Sequence, residues 1–309
     1  MTDLSDLSDR TDPDRGADLD IPDHISIWAE LADVDHQLRH VDVAGVRTRV
    51  LQAGSGPELV LLHGTGGHLE AYARDIAGLA HDFRVTAYDM VGHGWSDLPD
   101  TPYTTDVLSD HLLGLMDALG IARAHLSGES LGGWVTAWTA AHHPDRVDRL
   151  VLNTPGNIAN KPEVMARLRA STTAAVQDPS DANVRRRVEF LFHDTAMVTD
   201  ELVNLRRAVY SRPGFVQAIA NTLVLQDPVT RARFSWDPWW VGRIAAPTLL
   251  LWTDHDPTGG LDEARMLLDW LPDARLHVIA DAGHWPQWER PAEFLQQHRT
   301  FLLGGQVTS

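Results

Sequence analysis

Short apolar segments alternate with longer amphipathic segments along most of the chain. Residues 58–62 form a continuous apolar run, which is typical of a strand buried on both faces. Similar patterns predict further strands at residues 41–46, 47–52, 83–88, 122–126, 147–152, 246–252 and 274–279. Helical patterns lie between them, at residues 69–80, 104–119, 134–143, 262–270 and 291–303. Strands that alternate with helices indicate an α/β fold with a doubly wound, mostly parallel sheet.

The alternation breaks between residues 155 and 240. Helical segments follow one another there without intervening strands, at about residues 162–177, 181–192, 199–210 and 213–224. We therefore expect an all-helical cap, or lid, over residues 155–240, inserted into an α/β core formed by residues 24–154 and 241–309. Residues 1–23 are dominated by Asp, Ser and Pro and predict a disordered acidic leader.

Composition narrows the class of protein. The formal net charge of −17 argues against a phosphate-backbone partner, so no nucleic acid is expected. The chain has no cysteine, which excludes disulfides, thiolate nucleophiles and cysteine-based zinc sites. No apolar run approaches the ~18 residues of a membrane span, and the acidic N-terminus lacks the hydrophobic stretch of a secretory signal. These features predict a cytoplasmic protein that acts on a small molecule without a membrane; a homodimer or higher homo-oligomer stays open.

The stretch from Ser127 to Gly133 carries the first chemical signal. Gly128, Ser130 and Gly132 match the pattern G-x-S-x-G, the sharp strand-to-helix turn called a nucleophile elbow. Side chains at the two glycine positions would collide with the flanking strand and helix. The following helix directs free N–H groups towards the serine, where they favour developing negative charge. The pattern predicts Ser130 as a nucleophile.

A serine hydroxyl needs a base, and the base needs a carboxylate that orients it. Both are expected on loops that follow later strands. His284 follows the strand at 274–279 and is the predicted base. Two acids, Asp254 and Asp256, follow the strand at 246–252, and the loop spacing favours Asp256. The predicted triad is therefore Ser130, Asp256 and His284, in the chain order Ser, acid, His.

The loop after the first buried strand predicts the oxyanion hole. Backbone N–H groups of Leu131, directly after the nucleophile, and of Thr65 would donate to the developing oxyanion. The Thr65 hydroxyl could supply a third donor. His63 is expected to hold this loop by hydrogen bonds rather than to act as a second base.

Other conspicuous residues have simpler interpretations. Trp134 and Trp138 lie four residues apart on the predicted elbow helix and are expected to pack in the core. The cluster Trp236, Trp239 and Trp240 could either roof the pocket or dock the cap. The arginines at 185–187 predict a solvated helix face. The remaining histidines that we considered, at positions 68, 93, 142 and 143, lack metal-ligand spacing, and no metal or other cofactor is expected.

These residues and motifs resemble those of a known family. Residues 41–304 are similar to α/β-hydrolases, and three stretches more narrowly resemble the meta-cleavage-product hydrolases. These stretches are residues 62–67 (LHGTGG), 283–289 (GHWPQWE) and 198–206 (VTDELVNLR). Members of that family are serine enzymes that cut a carbon–carbon bond in 2-hydroxy-6-oxo-2,4-dienoates formed by ring opening of catechols.

The resemblance implies further site residues. A cap arginine of the family binds the substrate's carboxylate and 2-oxygen; the match places it at Arg206, with Arg207 as a rival. A planar guanidinium suits this bidentate task. Trp285 would line the pocket, and Gly66 and Glu129 would lie beside the substrate. Glu129 departs from the family, which often has asparagine there, and the loop at 65–67 lacks the usual proline.

The resemblance implies C–C bond hydrolysis of a vinylogous 1,5-diketone acid from aromatic catabolism, with no cofactor. A carboxylesterase or lactonase that uses the same triad is the alternative. A catalytically silent binding protein is disfavoured because every triad member is present. An epoxide hydrolase or haloalkane dehalogenase would need aspartate at position 130 and is excluded.

Overall fold

A computed structural model describes residues 26–158 and 161–305. The predicted leader at 1–23 lies outside the described residues. An eight-stranded sheet organises the rest, with strands in the order β1-β2-β4-β3-β5-β6-β7-β8. The strands are β1 (His36–Val43), β2 (Val46–Ala53), β3 (Glu58–Leu62), β4 (Arg84–Tyr88), β5 (Ala124–Glu129), β6 (Val147–Asn153), β7 (Thr248–Thr253) and β8 (Ala274–Ile279).

Only the first part of the sheet is antiparallel. The hairpin β1–β2 pairs in antiparallel fashion, and β2 pairs with β4 in the same way. All other neighbours, from β4 through β3 and β5 to β8, are parallel. The predicted α/β fold with a mostly parallel sheet is therefore confirmed.

Helices cover both faces of this sheet. The α-helices are α1 (Ile27–Glu30), α2 (Ala73–Ala80), α3 (Thr105–Ala118), α4 (Leu131–His142), α5 (Pro162–Gln177), α6 (Asp181–Glu189), α7 (Asp200–Tyr210), α8 (Phe215–Thr222), α9 (Pro228–Phe234), α10 (Pro238–Val241), α11 (Leu261–Trp270), α12 (Pro286–Glu289) and α13 (Pro291–Leu302). None of the helices that the structure describes is long and apolar enough to cross a membrane.

The apolar run of β3 explains why two layers of helices are needed. Leu59 and Leu61 face one core cluster, which contains apolar residues of α2 and α13. Val60 and Leu62 face the other, which contains apolar residues of α3 and α4. All four side chains are at most 1% exposed. A strand buried on both faces carries no polar alternation, as the sequence predicts.

Six helices, α5–α10, lie between β6 and β7 and form what we call the helical insertion. Four of them match the predicted helical segments within a few residues. The sequence analysis missed α9 and α10, although both begin with an Asp-Pro pair. Asp227 and Asp237 accept hydrogen bonds from the first-turn N–H groups, and each is followed by proline at the first helical position. The exact division into core and cap at 155 and 240 stays a prediction.

Candidate active site

Ser130 lies at a sharp turn between β5 and α4. Its backbone has φ 53° and ψ −116°, a region that ordinary residues avoid. A Cβ at Gly128 would overlap the backbone of Gly132, and one at Gly132 would overlap the backbone of Leu62. The two glycines are therefore required for the turn, and the turn presents the Ser130 side chain to a cavity.

Two backbone amides near Ser130 face the cavity and are available as hydrogen-bond donors. Among the described residues, neither the N–H of Leu131 nor the N–H of Thr65 donates a backbone hydrogen bond. Leu131 is the first residue of the 12-residue helix α4, so its amide lies at the positive end of the helix. Both residues line the cavity together with Ser130. The arrangement can receive an anionic oxygen.

The structure pairs His284 with Asp256 rather than with Asp254. His284 Nδ1 lies 2.9 Å from Asp256 Oδ1, and both side chains are almost fully buried. Asp254 instead accepts hydrogen bonds from the backbone N–H groups of Asp281 and Ala282. Thr258, which the sequence analysis missed, donates its backbone N–H and its hydroxyl to Asp256 Oδ1, each over 2.8 Å. These bonds fix the carboxylate that orients the imidazole.

The loop that carries His284 is attached to the helical insertion. The His284 backbone N–H donates to the Leu191 carbonyl over 2.7 Å. Glu289 accepts bonds from the N–H groups of Gly283 and His193, each over 2.8 Å, and so joins the loop and the insertion a second time. The resemblance quoted Glu289 only as part of a motif; its bridging role depends on a contact between distant parts of the chain.

Opposing influences set the pKa of His284. Burial disfavours the imidazolium, but the carboxylate of Asp256, and after it that of Glu129, outweighs burial and raises the pKa. The imidazole therefore holds a proton more tightly than an exposed histidine does.

Glu129 makes the contact that a catalytic serine would be expected to make. Its Oε1 lies 3.3 Å from His284 Nε2, whereas the Ser130 hydroxyl has no hydrogen-bond partner among the described residues. Burial raises the pKa of Glu129, against the opposing effect of His284 and Arg206. The structure thus brings Ser130 and His284 to one cavity, with the Glu129 carboxyl group beside His284 Nε2.

Gly64 allows Glu129 to occupy this place. A Cβ at Gly64 would lie 2.5 Å from Glu129 Oε2 and 2.9 Å from Ser130 Cβ. Glu129 Oε2 has no hydrogen-bond partner in the described part of the chain. The Gly64 backbone therefore packs closely against the Glu129 carboxyl group and Ser130, and a larger residue at position 64 would displace them.

Arg206, and not Arg207, reaches the cavity. Arg206 is 1% exposed, and its guanidinium lies 5.0 Å from the ring centre of Trp285. Its Nη1 donates to the Tyr210 hydroxyl over 3.3 Å, but Nε and Nη2 have no partner among the described residues. Arg207 is turned outward and donates to the Pro179 carbonyl. A buried cation with unused donors is arranged to bind an anion.

The expectation of a solvated face at residues 185–187 is wrong for Arg187. This side chain is 4% exposed and lines the same cavity as Ser130. Burial lowers its pKa to about 10, so it stays protonated at neutral pH. Arg185 and Arg186 do lie outside and pair with surface residues. Three consecutive arginines on a helix necessarily point in different directions, and one of them faces inward.

The cavity beside Ser130 is lined by residues of the α/β core and of the helical insertion. Trp285 lines it as expected, but Gly66 lies against the Tyr210 hydroxyl instead of on the cavity wall. Trp134, which we expected only to pack in the core, also contributes to the wall. The remaining lining residues are Gly64, Gly67, Glu129, Gly156, Asn157, Met165, Leu168, Thr172, Leu191, Arg206, Thr222, Leu223, Leu225, Gln226, Thr258 and His284.

Two of the three tryptophans at the end of the insertion dock it against the core, and the third is exposed. Trp236 donates its indole N–H to the Gly156 carbonyl, and Trp240 packs edge-on against Trp138 of α4 at 5.5 Å. Trp239 is 74% exposed. The open choice between a pocket roof and a dock is thus resolved in favour of docking.

His63 has the structural role that we expected. Its Nε2 accepts from the Met90 N–H, so Nδ1 carries the proton and donates to the Gly64 carbonyl over 2.8 Å. Burial holds its pKa well below the usual range, which keeps the ring neutral. The loop that presents Thr65 is therefore fixed by a neutral imidazole.

Comparisons with known proteins agree with the fold and identify the family. Residues 57–291 match the family described as the alpha/beta hydrolase fold, and the chain belongs to that family. The chain is 34% identical over 278 residues to a 2-hydroxymuconate semialdehyde hydrolase of Pseudomonas sp. (strain CF600), covering 85% of this chain and 93% of that one.

Solved structures extend the agreement. A meta-cleavage product hydrolase from Pseudomonas fluorescens IP01 is similar with a TM-score of 0.75 and 30% identity, covering 86% of this chain and 97% of that one. A 2-hydroxy-6-oxo-6-phenylhexa-2,4-dienoate hydrolase from Rhodococcus sp. strain RHA1 has a TM-score of 0.76 and 27% identity, covering 87% and 99%. The expected resemblance to meta-cleavage-product hydrolases is confirmed.

Proposed function

We propose that this protein hydrolyses a C–C bond in ring-cleavage products of the 2-hydroxy-6-oxo-2,4-dienoate type. One observation carries the proposal: the buried, unused donors of Arg206 lie in the same cavity as Ser130 and the His284–Asp256 pair. An ordinary esterase has no need for a buried cation beside its nucleophile. A substrate with a carboxylate at one end and a carbonyl at the other accounts for both features.

In the first step Arg206 binds the carboxylate and the 2-oxygen through Nε and Nη2. The planar fork of the guanidinium matches two oxygens of a planar acid. Trp285 and Tyr210 hold the guanidinium plane, at 5.0 and 5.9 Å from their ring centres. The dienoate is thereby oriented with its 6-carbonyl towards Ser130.

The second step converts the dienol into its keto form. The proton of the 2-hydroxyl leaves, the double bonds shift, and C5 receives a proton. His284 mediates this transfer, and the Glu129 carboxyl group lies 3.3 Å from His284 Nε2. The product has two carbonyl groups in 1,5-relation, so a carbanion formed at C5 is stabilised by the 2-keto group through the remaining double bond.

In the third step Ser130 attacks the 6-carbonyl and gives its proton to His284. The resulting oxyanion is held by the N–H groups of Leu131 and Thr65. When it collapses, the C5–C6 bond breaks and the electron pair passes to the dienolate fragment, which is reprotonated. Water then cleaves the acyl-serine ester with His284 as base. One water is consumed, a 2-hydroxydienoate and a carboxylic acid are formed, and no cofactor is required.

For the helical insertion we propose the role of a cap. It supplies Arg206 and Arg187 to the cavity, while the core supplies Ser130 and His284, which is paired with Asp256. Closure of the cap would exclude water during the ketonisation step, when premature proton exchange would otherwise compete.

Incubation with a yellow 2-hydroxy-6-oxo-dienoate tests the proposal. The purified protein is expected to bleach the colour with turnover, and release of the carboxylic acid is measured in parallel. Ser130→Ala is expected to abolish acid release. If this variant still releases the acid, Ser130 is not the nucleophile and the proposed mechanism is wrong. Turnover of p-nitrophenyl esters without turnover of any dienoate would replace the proposal with the esterase alternative.

A further inference from the structure

Three side chains that can bind a metal ion lie together where the helical insertion meets the core. His193 belongs to the insertion, between α6 and α7, whereas His255 follows β7 and Asp281 follows β8. Their ligand atoms all lie within 4.8 Å of one another, and all three side chains are exposed. None of the three lines the cavity beside Ser130. The cluster is therefore separate from the candidate active site, although it joins the same loops.

The backbone at these three positions is held by the bonds that connect the loops. The His193 N–H donates to the Glu289 carboxylate over 2.8 Å. The His255 N–H donates to the carbonyl of Ala282, the residue directly after Asp281, over 3.2 Å. The backbone thus brings the three residues together, while their exposed side chains are free to rotate.

The surroundings of the cluster favour a cation. The rings of His193 and His255 stack with their centres 3.8 Å apart and their planes inclined by 9°. Stacking accounts for the two rings but not for the carboxylate of Asp281 beside them. A second carboxylate, that of Asp254, lies 3.8 Å from His255 Nε2, and the chain carries a formal net charge of −17. Negative charge of this kind raises the local concentration of cations.

The kinds of ligand in the cluster select a transition metal. Two imidazoles and one carboxylate suit Zn²⁺, with water as the fourth ligand, whereas Ca²⁺ and Mg²⁺ prefer oxygen ligands throughout. With Zn–N distances of about 2.0–2.1 Å, neighbouring ligand atoms of a tetrahedral site lie roughly 3.3 Å apart. The ligand atoms of the cluster need to approach by roughly 1.5 Å at most, which rotation of exposed side chains allows.

We propose that His193, His255 and Asp281 bind a divalent transition-metal ion, and that this ion fastens the helical insertion to the two loops that carry the acid and the base. His255 directly precedes Asp256, and Asp281 lies three residues before His284. Because the ligands come from both sides of the junction, the insertion can lift only when a coordination bond breaks. The ion takes no part in the proposed reaction; it controls opening, whichever substrate the cavity accepts.

Titration of the full chain, without a histidine tag, with Zn²⁺ by calorimetry tests the site. The wild type is expected to bind one ion per chain. His193→Asn, His255→Asn and Asp281→Asn should each lower the affinity at least about 100-fold, since loss of an outer-shell partner alone costs about 10- to 100-fold. Asp281 has φ 52°, a conformation that asparagine also adopts, so its replacement removes the charge and keeps the turn. His81→Asn is the matched control, because His81 is exposed at the end of α2, and it should bind as the wild type does.

Thermal unfolding and turnover test the fastening. Zn²⁺ at about 100 times its Kd is expected to raise the Tm of the wild type by roughly 5 °C, and a chelator should reverse the change. The same concentration should lower turnover of a p-nitrophenyl ester about tenfold or more, because about 99% of the chains then hold the ion. His193→Asn should show neither effect and should keep its turnover with or without Zn²⁺. The ester makes these measurements independent of C–C bond hydrolysis.

Three results would overturn the inference. Equal affinity for Zn²⁺ in the wild type and in the three ligand variants would show that the cluster is not the site. One ion per two chains would place the ion between copies of the chain instead of between the insertion and the core. Inhibition of His193→Asn by Zn²⁺ as strong as that of the wild type would show that the ion acts at His284 itself, and the fastening role would be wrong.

Discussion

Replacing Arg206 by methionine should stabilise the protein while impairing its reaction with dienoates. Arg206 is 1% exposed, and its Nε and Nη2 have no partner among the described residues. Each buried donor without an acceptor costs about 1–3 kcal/mol of folding free energy. The contacts of the guanidinium with the rings of Trp285 and Tyr210, at 5.0 and 5.9 Å, stabilise the folded protein by about 2 kcal/mol when desolvated. Near the middle of these ranges, the guanidinium destabilises the free protein by about 2 kcal/mol.

Methionine keeps most of the volume and removes both the charge and the unused donors. We expect the free energy of unfolding to rise by about 2 kcal/mol, which raises Tm by roughly 4 °C for a chain of this size. The same change should lower kcat/KM for a dienoate by about 30-fold to several thousandfold, because the carboxylate loses a charge-assisted pair worth about 2–5 kcal/mol. Hydrolysis of a small neutral ester should change little.

Thermal unfolding followed by circular dichroism, together with bleaching of a dienoate and release of p-nitrophenol, measures all three quantities. Arg207→Met is the matched control, since Arg207 lies next in the chain but donates to the Pro179 carbonyl outside the cavity. A variant Arg206→Met that is less stable than the wild type would show that the buried guanidinium stabilises the fold. Equal losses on dienoate and neutral ester would refute its role in carboxylate binding.

Three further predictions concern the triad and the elbow. Glu129→Gln should move the acid limb of kcat/KM for a neutral ester to lower pH. Neutral His284 is the base, and the Glu129 carboxylate contributes to raising the pKa of His284. An unchanged pH profile would contradict this contribution. Asp256→Asn should lower the pKa of His284 further and reduce kcat about 10⁴-fold in single-turnover and steady-state assays, whereas Asp254→Asn should retain most activity. Gly128→Ala should destabilise the protein by about 3 kcal/mol in urea unfolding, because its Cβ would overlap the Gly132 backbone. Gly120→Ala is the control: it has open space around its Cβ and should lower the free energy of unfolding by only about 1 kcal/mol because of its positive φ. Equal losses in the two variants would refute the steric argument.

The sequence was sufficient for features that depend on local pattern. The apolar run of β3 and the glycine spacing around Ser130 predicted the sheet and the elbow, because strand burial and steric collision act within a few residues. Loop spacing favoured Asp256 over Asp254, and the structure pairs Asp256 with His284. The functions of these residues remain predictions until they are measured.

Features that depend on contacts between distant segments could not be predicted from the local sequence pattern. The direction of Arg187 depends on how α6 is rotated against α5, and an arginine run carries no periodic signal that distinguishes inner from outer positions. Thr258 and Glu289 act through bonds that only the folded loops create. The position of Glu129 beside His284, rather than beside a substrate, likewise depends on side-chain packing around Gly64.

The attachment of the His284 loop to the helical insertion links closure of the cavity with the position of the catalytic base proposed above. The imidazole belongs to the loop after β8, but its backbone N–H is held by Leu191, and Glu289 clasps the N–H groups of His193 and Gly283. A motion that lifted the insertion to release product would also remove these anchors from the base. We then expect proton transfer to stop while the cavity is open to solvent and to resume when the insertion closes, so that solvent exchange and chemistry would occupy separate phases of one turnover.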